Sequence, residues 1–393
     1  MAASDVALLE SSEWDVVDAA RRIGAQVRQR ADEIEEAGQL PADLVDAITE
    51  AGLFQMYLPR HAGGPQADPL STFQVTEHLA RADGSVGWCV SISSAISSYL
   101  GWLSPEALAE VVGPVPRLRL SGSARPLGTA APVEGGFRVQ GHWDFASNVL
   151  HSHWYIGTCI IQDSVNRAGA PKARAVIMPV RAGRVEYTWS TLGMRATGSH
   201  DFVVDEAFVP AHRVASQRYA LAQPGRLFHP RMAMIATWSP TAGVALGLAR
   251  GALDDFAELS SERSTNSPVP LAQRNNVQAA MAQAEAIVGA ARAFVVSAVG
   301  EAWEAVAGDV AGRELDLIIA RARLAITHAM GEGVRAVDLL QRAAGTGGVF
   351  RRAGVERRFR DVHTAYQHAA GLPIHVEAAG RVLLGLPADA PYF

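Results

Sequence analysis

The stretch LRLSGSA, Leu118–Ala124, marks the point at which the hydrophobic pattern of this chain changes from helical spacing to short β-rich runs. Before it, apolar residues recur at every third or fourth position, whereas after it they come in runs of strand-forming residues separated by Gly, Pro and Asn. The following runs are GFRVQGHWDFAS, HWYIGTCII, ARAVIMPV, RVEYTWS and DFVVDEAFVP. They predict a compact β domain, which we assign to residues 116–225.

Helical patterns lie on both sides of this β region. Ahead of it, LPADLVDAITEAG places Pro41 in a first helical turn and Gly52 at a C-terminal cap. Beyond Arg231, long segments rich in Ala and Leu are typical of closely packed helices in a bundle. We therefore predict an α+β fold that is mostly α, with an N-terminal α-helical domain at residues 1–115 and a C-terminal helical bundle at residues 226–393.

The composition is that of a soluble globular protein and argues against several other classes. The chain has 393 residues, of which 49% are hydrophobic and 19% charged, so it can bury a sizeable core. Its net charge of -5 comes from interspersed acids and bases, which predicts no nucleic-acid partner. The two cysteines, Cys89 and Cys159, are too few for a disulfide framework or a zinc site, and no signal peptide or membrane-spanning run is evident. We expect a cytoplasmic protein without a bound metal.

Several motifs occur in the order found in the acyl-CoA dehydrogenase family, which the chain resembles over nearly its whole length. LPADLVDAITEAGLFQMYLPRHAGG is similar to the family's first helix and turn, and EGGFRVQGHWDFASN to its strand-turn-strand approach to the flavin. GMRATGSHDFVVDEAFVP resembles the strands that close its β domain, while GVALGLARGALDDF and FRDVH resemble its C-terminal helices. The resemblance implies a helical domain, a central β-barrel-like domain and a C-terminal four-helix bundle, with flavin at their junction.

Two further motifs are similar to one branch of that family, the two-component (group D) flavin-dependent monooxygenases. They are RD..TA..H, at Arg360–His368, and FAS, at Phe145–Ser147. This resemblance implies an enzyme that takes diffusible reduced FMN or FAD from a separate NAD(P)H-dependent flavin reductase. With O2 it would form a C4a-hydroperoxide and hydroxylate a phenol, an indole or a polycyclic aromatic compound. The branch also implies a homotetramer or a dimer, and a role in the biosynthesis of natural products such as antibiotics.

Position 368 separates oxygen insertion from dehydrogenation. In the dehydrogenases a Glu removes a proton from the thioester, and both positions at which the family carries it align here with alanine, Ala369 and Ala249. Glu377 lies nearby in the sequence. Histidine has an ordinary pKa of ~6.5 and can accept a proton near neutral pH. We therefore expect His368 to contact the aromatic substrate and to act as its catalytic base.

The resemblance also assigns residues to the flavin. FASN aligns with the family's WITN, so Ser147 takes the place of the hydroxyl that hydrogen-bonds flavin N5, a second catalytic position. Arg263 aligns with the arginine that reaches a flavin phosphate, for which the guanidinium fork is suited. QRAAGTGGVFRR departs from the family's spacing for the adenosine of FAD, which leaves FMN or FAD open. The other flavin-binding positions are Ser121, Gly122, Ser123, Phe145 and Ala146.

The nearly uncharged segment GWCVSISSAISSYLGWL, Gly87–Leu103, predicts a buried helix that lines the substrate side in this family. Its aromatic residues Trp88, Tyr99 and Trp102 are candidates for stacking on an aromatic substrate. The same residues also fit an ordinary hydrophobic core.

Two other functions stay open at this point. An acyl-CoA dehydrogenase or oxidase would bind FAD tightly and be reduced by a thioester, whereas a non-catalytic scaffold of the same fold would bind no flavin. GSHD, Gly198–Asp201, brings Ser, His and Asp together in sequence. Neighbouring strand residues point to opposite faces, however, so we exclude a nucleophilic triad there.

Overall fold

The computed structural model describes residues 15–113, 117–165, 169–216, 225–261, 269–308 and 310–388. Helix α1 buries its apolar stripe against α4. Helix α5 begins one extended residue after α4, because the carboxylate of Asp83 accepts the N–H of Val86 and caps the new helix. The helices of this first part are α1 (Val16–Gln29), α2 (Ala31–Ala37), α3 (Ala42–Glu50), α4 (Pro69–Ala82), α5 (Gly84–Ser97) and α6 (Pro105–Val112).

One six-stranded sheet follows, curled around the fully buried indole of Trp143. Its order is β4-β3-β1-β2-β6-β5, with β1 and β3 parallel and the other neighbours antiparallel. Three glycines lie against the indole ring, and a side chain at any of them would collide with it: Gly128, Gly141 and Gly157. The strands are β1 (Leu120–Val133), β2 (Gly136–Trp143), β3 (Trp154–Val165), β4 (Pro171–Pro179), β5 (Arg184–Glu186) and β6 (Asp201–Pro210).

The last part is a bundle of long helices. Its helices are α7 (Ala233–Ser261), α8 (Asn275–Ala305), α9 (Gly312–Ala344), α10 (Val355–Ala365) and α11 (Pro373–Leu383). Helix α7 packs closely on α4 through Gly243, Gly247 and Gly251, which lie one turn apart, and a Cβ at each would meet atoms of α4. By length and composition alone, Pro230–Ser261 and α8 could cross a membrane, which is weak evidence because core helices pass the same test; their apolar windows are 83% and 39% buried.

This order of helices, strands and helices confirms the predicted α+β, mostly α fold. The change to strands falls between Val112 and Leu120, and the change back falls between Pro210 and Ala233.

The loop before β6 is held on α10 by two backbone contacts. The N–H of Gly193 donates to Thr364 Oγ1 over 3.1 Å, and the N–H of Met194 donates to Asp361 Oδ1 over 2.6 Å. These contacts bring the C-terminal helices to the β2–β3 turn, where the predicted site residues lie.

Candidate functional site

Three of the predicted residues, from distant parts of the chain, meet between α5, the β2–β3 turn and the turn after α10. The indole Nε1–H of Trp88 donates to Ser147 Oγ over 3.1 Å. The Trp88 ring also stands edge-on to the imidazole of His368, with centroids 5.4 Å apart and planes at 82°. One aromatic side chain therefore contacts both predicted catalytic residues.

The surroundings of His368 favour a neutral imidazole with its proton on Nε2. Its Nδ1 accepts the N–H of Ala370 over 3.2 Å. Desolvation by burial, with a smaller contribution from His375, lowers the pKa of His368 to about 4. A neutral imidazole whose Nδ1 is an acceptor carries its proton on Nε2. In this tautomer His368 presents an Nε2–H donor that no protein group within the described residues accepts, while its action as a catalytic base stays a prediction.

Ser147 begins a chain of buried hydroxyl groups, which the sequence alone did not reveal. Its Oγ lies 2.7 Å from Ser199 Oγ, and Ser199 Oγ lies 2.6 Å from Thr197 Oγ1. Thr197 in turn donates to the carbonyl of Met194 over 2.9 Å. The sequence signal that could have revealed this chain is the pair Thr197 and Ser199, two positions apart in the segment that resembles the strands closing the family's β domain.

The same segment agrees with the exclusion of a Ser-His-Asp triad. The Nδ1 atom of His200 accepts the N–H of Trp189 over 3.1 Å, so it does not serve Ser199. Asp201 bonds to the imidazole of His142 over 2.7 Å and to the hydroxyl of Thr188. Ser199 is therefore committed to the hydroxyl chain.

The turn that carries Ser147 has an uncommon backbone. Phe145 has a φ of +57°, a left-handed conformation that is rare for a bulky residue and often marks a functional turn. Its ring is 57% exposed and stands edge-on to Trp189, with centroids 6.1 Å apart. Ala146 is buried beside it, and its N–H donates to the carbonyl of His200 over 2.9 Å. An exposed aromatic ring next to a buried hydroxyl fits a planar ring such as flavin.

The start of β1 is tied to this turn through α5. The hydroxyl of Ser93 donates to the carbonyl of Leu120 over 2.6 Å and accepts the side-chain N–H of Asn148 over 3.1 Å. Ser121 follows directly, and its buried Oγ has no hydrogen-bond partner in the described parts of the chain. A buried hydroxyl without a protein partner is suited to a bound polar group, so Ser121 also fits the expected flavin.

The other two residues of that segment have local explanations. A side chain at Gly122 would collide with the carbonyl of Ile156 on β3, so strand packing accounts for this glycine. Ser123 accepts the N–H of Arg125 over 3.3 Å. A flavin contact of either residue stays a prediction.

The remaining aromatic candidates lie elsewhere. Tyr99 and Trp102 pack on each other, with centroids 5.6 Å apart, in the apolar cluster between α6 and the sheet. Tyr99 follows Trp88 by eleven residues, which at about 1.5 Å per helical residue separates the two by roughly 16 Å along the helix axis. Only Trp88 of the three is thus placed beside His368, and substrate contacts of the other two stay predictions. Arg263 lies outside the described residues.

Neither expected position of a dehydrogenase base carries a carboxylate. Ala249 is buried in α7, Ala369 is exposed in the turn after α10, and Glu377 is exposed on α11. The buried acid nearest to Ala369 in the sequence is Asp361. Its burial, and to a smaller extent the neighbouring Asp83, raise the pKa of Asp361 to about 7. Its Oδ1 is occupied by the N–H of Met194, so it connects α10 to the β domain.

Residues 12–110 match the acyl-CoA dehydrogenase N-terminal domain, and residues 240–372 match the acyl-CoA dehydrogenase C-terminal domain. The chain is 29% identical over 370 residues to indole-3-acetate monooxygenase of Pseudomonas putida, covering 92% of each chain. It is 30% identical over 366 residues to the flavin-dependent monooxygenase oxygenase subunit HsaA of Rhodococcus jostii, covering 88% of this chain and 92% of HsaA. The structure of XiaF from Streptomyces sp. in complex with FADH2 and glycerol superimposes with a TM-score of 0.86 at 27% identity, over 96% of both chains.

Proposed function

The chain belongs to the acyl-CoA dehydrogenase family, in the branch of flavin-dependent monooxygenase oxygenase subunits, and from this premise we propose that it hydroxylates an aromatic small molecule with O2 and diffusible reduced FMN or FAD. One observation carries the proposal. Trp88 joins Ser147 to His368, while both positions of a dehydrogenase base hold alanine. A site with fixed hydrogen-bonding groups and no carboxylate base suits oxygen transfer better than removal of a thioester proton.

Each residue of the site would have a separate role in this reaction. Bound reduced flavin supplies the two electrons that activate O2. Ser147 would accept a hydrogen bond from flavin N5–H, and the exposed ring of Phe145 would cover part of the flavin plane. His368 would donate its Nε2–H to an oxygen atom at the reacting centre. Trp88 and the apolar residues of α5 would exclude water from it.

The substrate class rests on the relatives and on the aromatic lining. The relatives named above oxidise indole-3-acetate or are oxygenase subunits of flavin-dependent monooxygenases, so we assign a phenol, an indole or a polycyclic compound to this site. The designation of HsaA as an oxygenase subunit supports a separate NAD(P)H-dependent flavin reductase. The motif resemblance to the two-component monooxygenases is the ground on which we propose a role in natural-product or antibiotic biosynthesis. We also propose a cytoplasmic location, with which the two buried free cysteines agree.

A homotetramer, or a dimer, is the assembly that the surface supports. The C-terminal helix α11 and its flanks expose several large apolar side chains, and a contiguous exposed apolar surface often marks a protein–protein contact. They are Leu372, Ile374, Val376, Leu383, Leu384 and Leu386. Burial of such a surface between copies would remove it from water.

Anaerobic titration tests the proposal against dehydrogenation. The protein should bind reduced FMN or reduced FAD, and an acyl-CoA thioester should not bleach the oxidised flavin added with it. Bleaching by the thioester would identify a dehydrogenase instead. Failure to bind either flavin in either redox state would identify a non-catalytic scaffold.

A further inference from the structure

The hydroxyl chain behind Ser147 has one donor at its start and one acceptor at its end. Trp88 Nε1 can only donate, and it donates to Ser147. The carbonyl of Met194 can only accept, and it accepts from Thr197. Between them, Ser147, Ser199 and Thr197 are joined by contacts of 2.7 Å and 2.6 Å, and all three side chains are buried.

With the hydrogen of Thr197 placed on the Met194 carbonyl, counting hydrogens gives the direction of the other two bonds in this chain. Each hydroxyl has one hydrogen, and Thr197 uses its own on the Met194 carbonyl. Ser199 must therefore donate to Thr197, and Ser147 must donate to Ser199. Ser147 also accepts from Trp88, so it keeps one free lone pair and no free hydrogen.

The acceptor end of the chain is held firmly. Met194 has a φ of +55° and its N–H donates to the buried Asp361 over 2.6 Å, which holds this residue against α10. Its carbonyl also accepts from Trp189 Nε1 over 2.9 Å and from the backbone N–H of Thr197 over 3.2 Å. The bonds to its oxygen hold the Met194 carbonyl in place as the acceptor at the end of the chain.

We propose that Ser199 and Thr197 are positioning residues that make the Ser147 site selective for the reduced state of the flavin. This inference rests on the proposed function, in which Ser147 faces flavin N5. Reduced flavin carries a hydrogen on N5 and can donate to the free lone pair of Ser147. Oxidised flavin has a lone pair on N5 and needs a donor, which Ser147 cannot supply while its hydrogen is committed to Ser199.

The selectivity has a purpose in a protein that takes its flavin from solution. Oxidised flavin is the product of each turnover and competes for the same site. A site that accepts only from N5–H binds the incoming reduced flavin and releases the spent one. Ser147 is 3% exposed, so the discrimination is made at a single buried atom, where an unpaired lone pair is costly.

The test is the ratio of dissociation constants for oxidised and reduced flavin, measured anaerobically with FMN and with FAD. Thr197→Val removes the terminal hydroxyl, so Ser199 can donate to Ser147 and Ser147 can donate to oxidised N5. Ser199→Ala frees the same hydrogen directly. In both variants the preference for reduced flavin should fall by about tenfold, as expected for one hydrogen bond gained and one weakened.

Thr197→Ser is the matched control, because it keeps the hydroxyl and should keep the wild-type ratio. A mere packing defect would weaken both redox states alike and leave the ratio unchanged. If wild type prefers reduced flavin and neither Thr197→Val nor Ser199→Ala alters that preference, the inference is wrong while the proposed function stands. If wild type binds no flavin at all, the proposed function fails and this inference fails with it.

Discussion

At the scale of single residues, His368 is the side chain for which the structure favours a role other than the predicted one. The sequence favoured a base, but Nδ1 is occupied by the Ala370 N–H and the pKa is lowered to about 4. We predict that His368→Ala lowers the hydroxylation rate about 10²-fold, as for loss of a donor at a reacting oxygen, without changing the affinity for reduced flavin. His368→Gln keeps an N–H donor and should retain roughly tenfold more activity than the alanine variant.

The pH dependence separates the two roles of His368. A histidine with a pKa of about 4 stays neutral throughout the neutral range. We therefore expect the hydroxylation rates of the wild type and of His368→Gln to depend on pH in the same way around the ordinary histidine pKa. Steady-state rates across that range, at saturating reduced flavin, provide the measurement. If His368→Ala and His368→Gln lose the same activity, and only the wild type shows an ionisation near the ordinary histidine pKa, His368 acts as a base.

The sequence predicted the members of this site better than their roles. Ser147, Trp88 and His368 were named from motifs, and the structure places them in contact. The part played by Ser199 and Thr197 could not be read from the sequence, because it depends on which hydroxyl donates to which. That direction is set by Trp88 and Met194, which are distant from each other in the chain.

At the scale of secondary-structure elements, the seam between α4 and α7 holds the N-terminal helices against the bundle. Gly247 lies at its centre, and a Cβ there would meet the carbonyl of Glu77 on α4. A backbone atom cannot rotate away, so Gly247→Ala must push the two helices apart. We predict a loss of about 1–3 kcal/mol in the free energy of unfolding, measured by chemical denaturation.

Gly289→Ala on α8 is the control for that prediction. Nothing lies within 4 Å of the added methyl group, so only helix propensity should change. This variant should gain up to about 1 kcal/mol. Stabilisation by Gly247→Ala to the same extent would show that the seam is not closely packed.

Local patterns in the sequence were enough to predict the elements but not their pairing. Helical spacing and turn residues marked the helices, and β-rich runs marked the strands. The order of the strands could not be predicted in this way. Strand β1 pairs with β2, which follows it in the chain, and also in parallel with the more distant β3. The buried Trp143, with Gly128, Gly141 and Gly157 around it, shows that the curl depends on residues from three strands.

At the scale of the whole molecule, the site exists only where all three parts of the chain meet. Trp88 comes from the N-terminal helices, Ser147 and Ser199 from the β region, and His368 from the C-terminal helices. The order of these parts was visible in the sequence and, through the family resemblance, led to the right fold. Contacts such as Met194 N–H to Asp361 required the folded chain, because they join residues far apart in sequence.

The most direct test of aromatic hydroxylation by this protein is the fate of isotopically labelled O2. The protein is mixed with chemically reduced FMN or FAD, a panel of phenols and indoles, and ¹⁸O2, and the products are analysed by mass spectrometry. We expect an aromatic product that carries one labelled oxygen atom, with the other atom released as water. If reduced flavin is bound and consumed, yet no compound in the panel acquires labelled oxygen while an acyl-CoA is oxidised by the same protein, the assignment as an aromatic hydroxylase is contradicted.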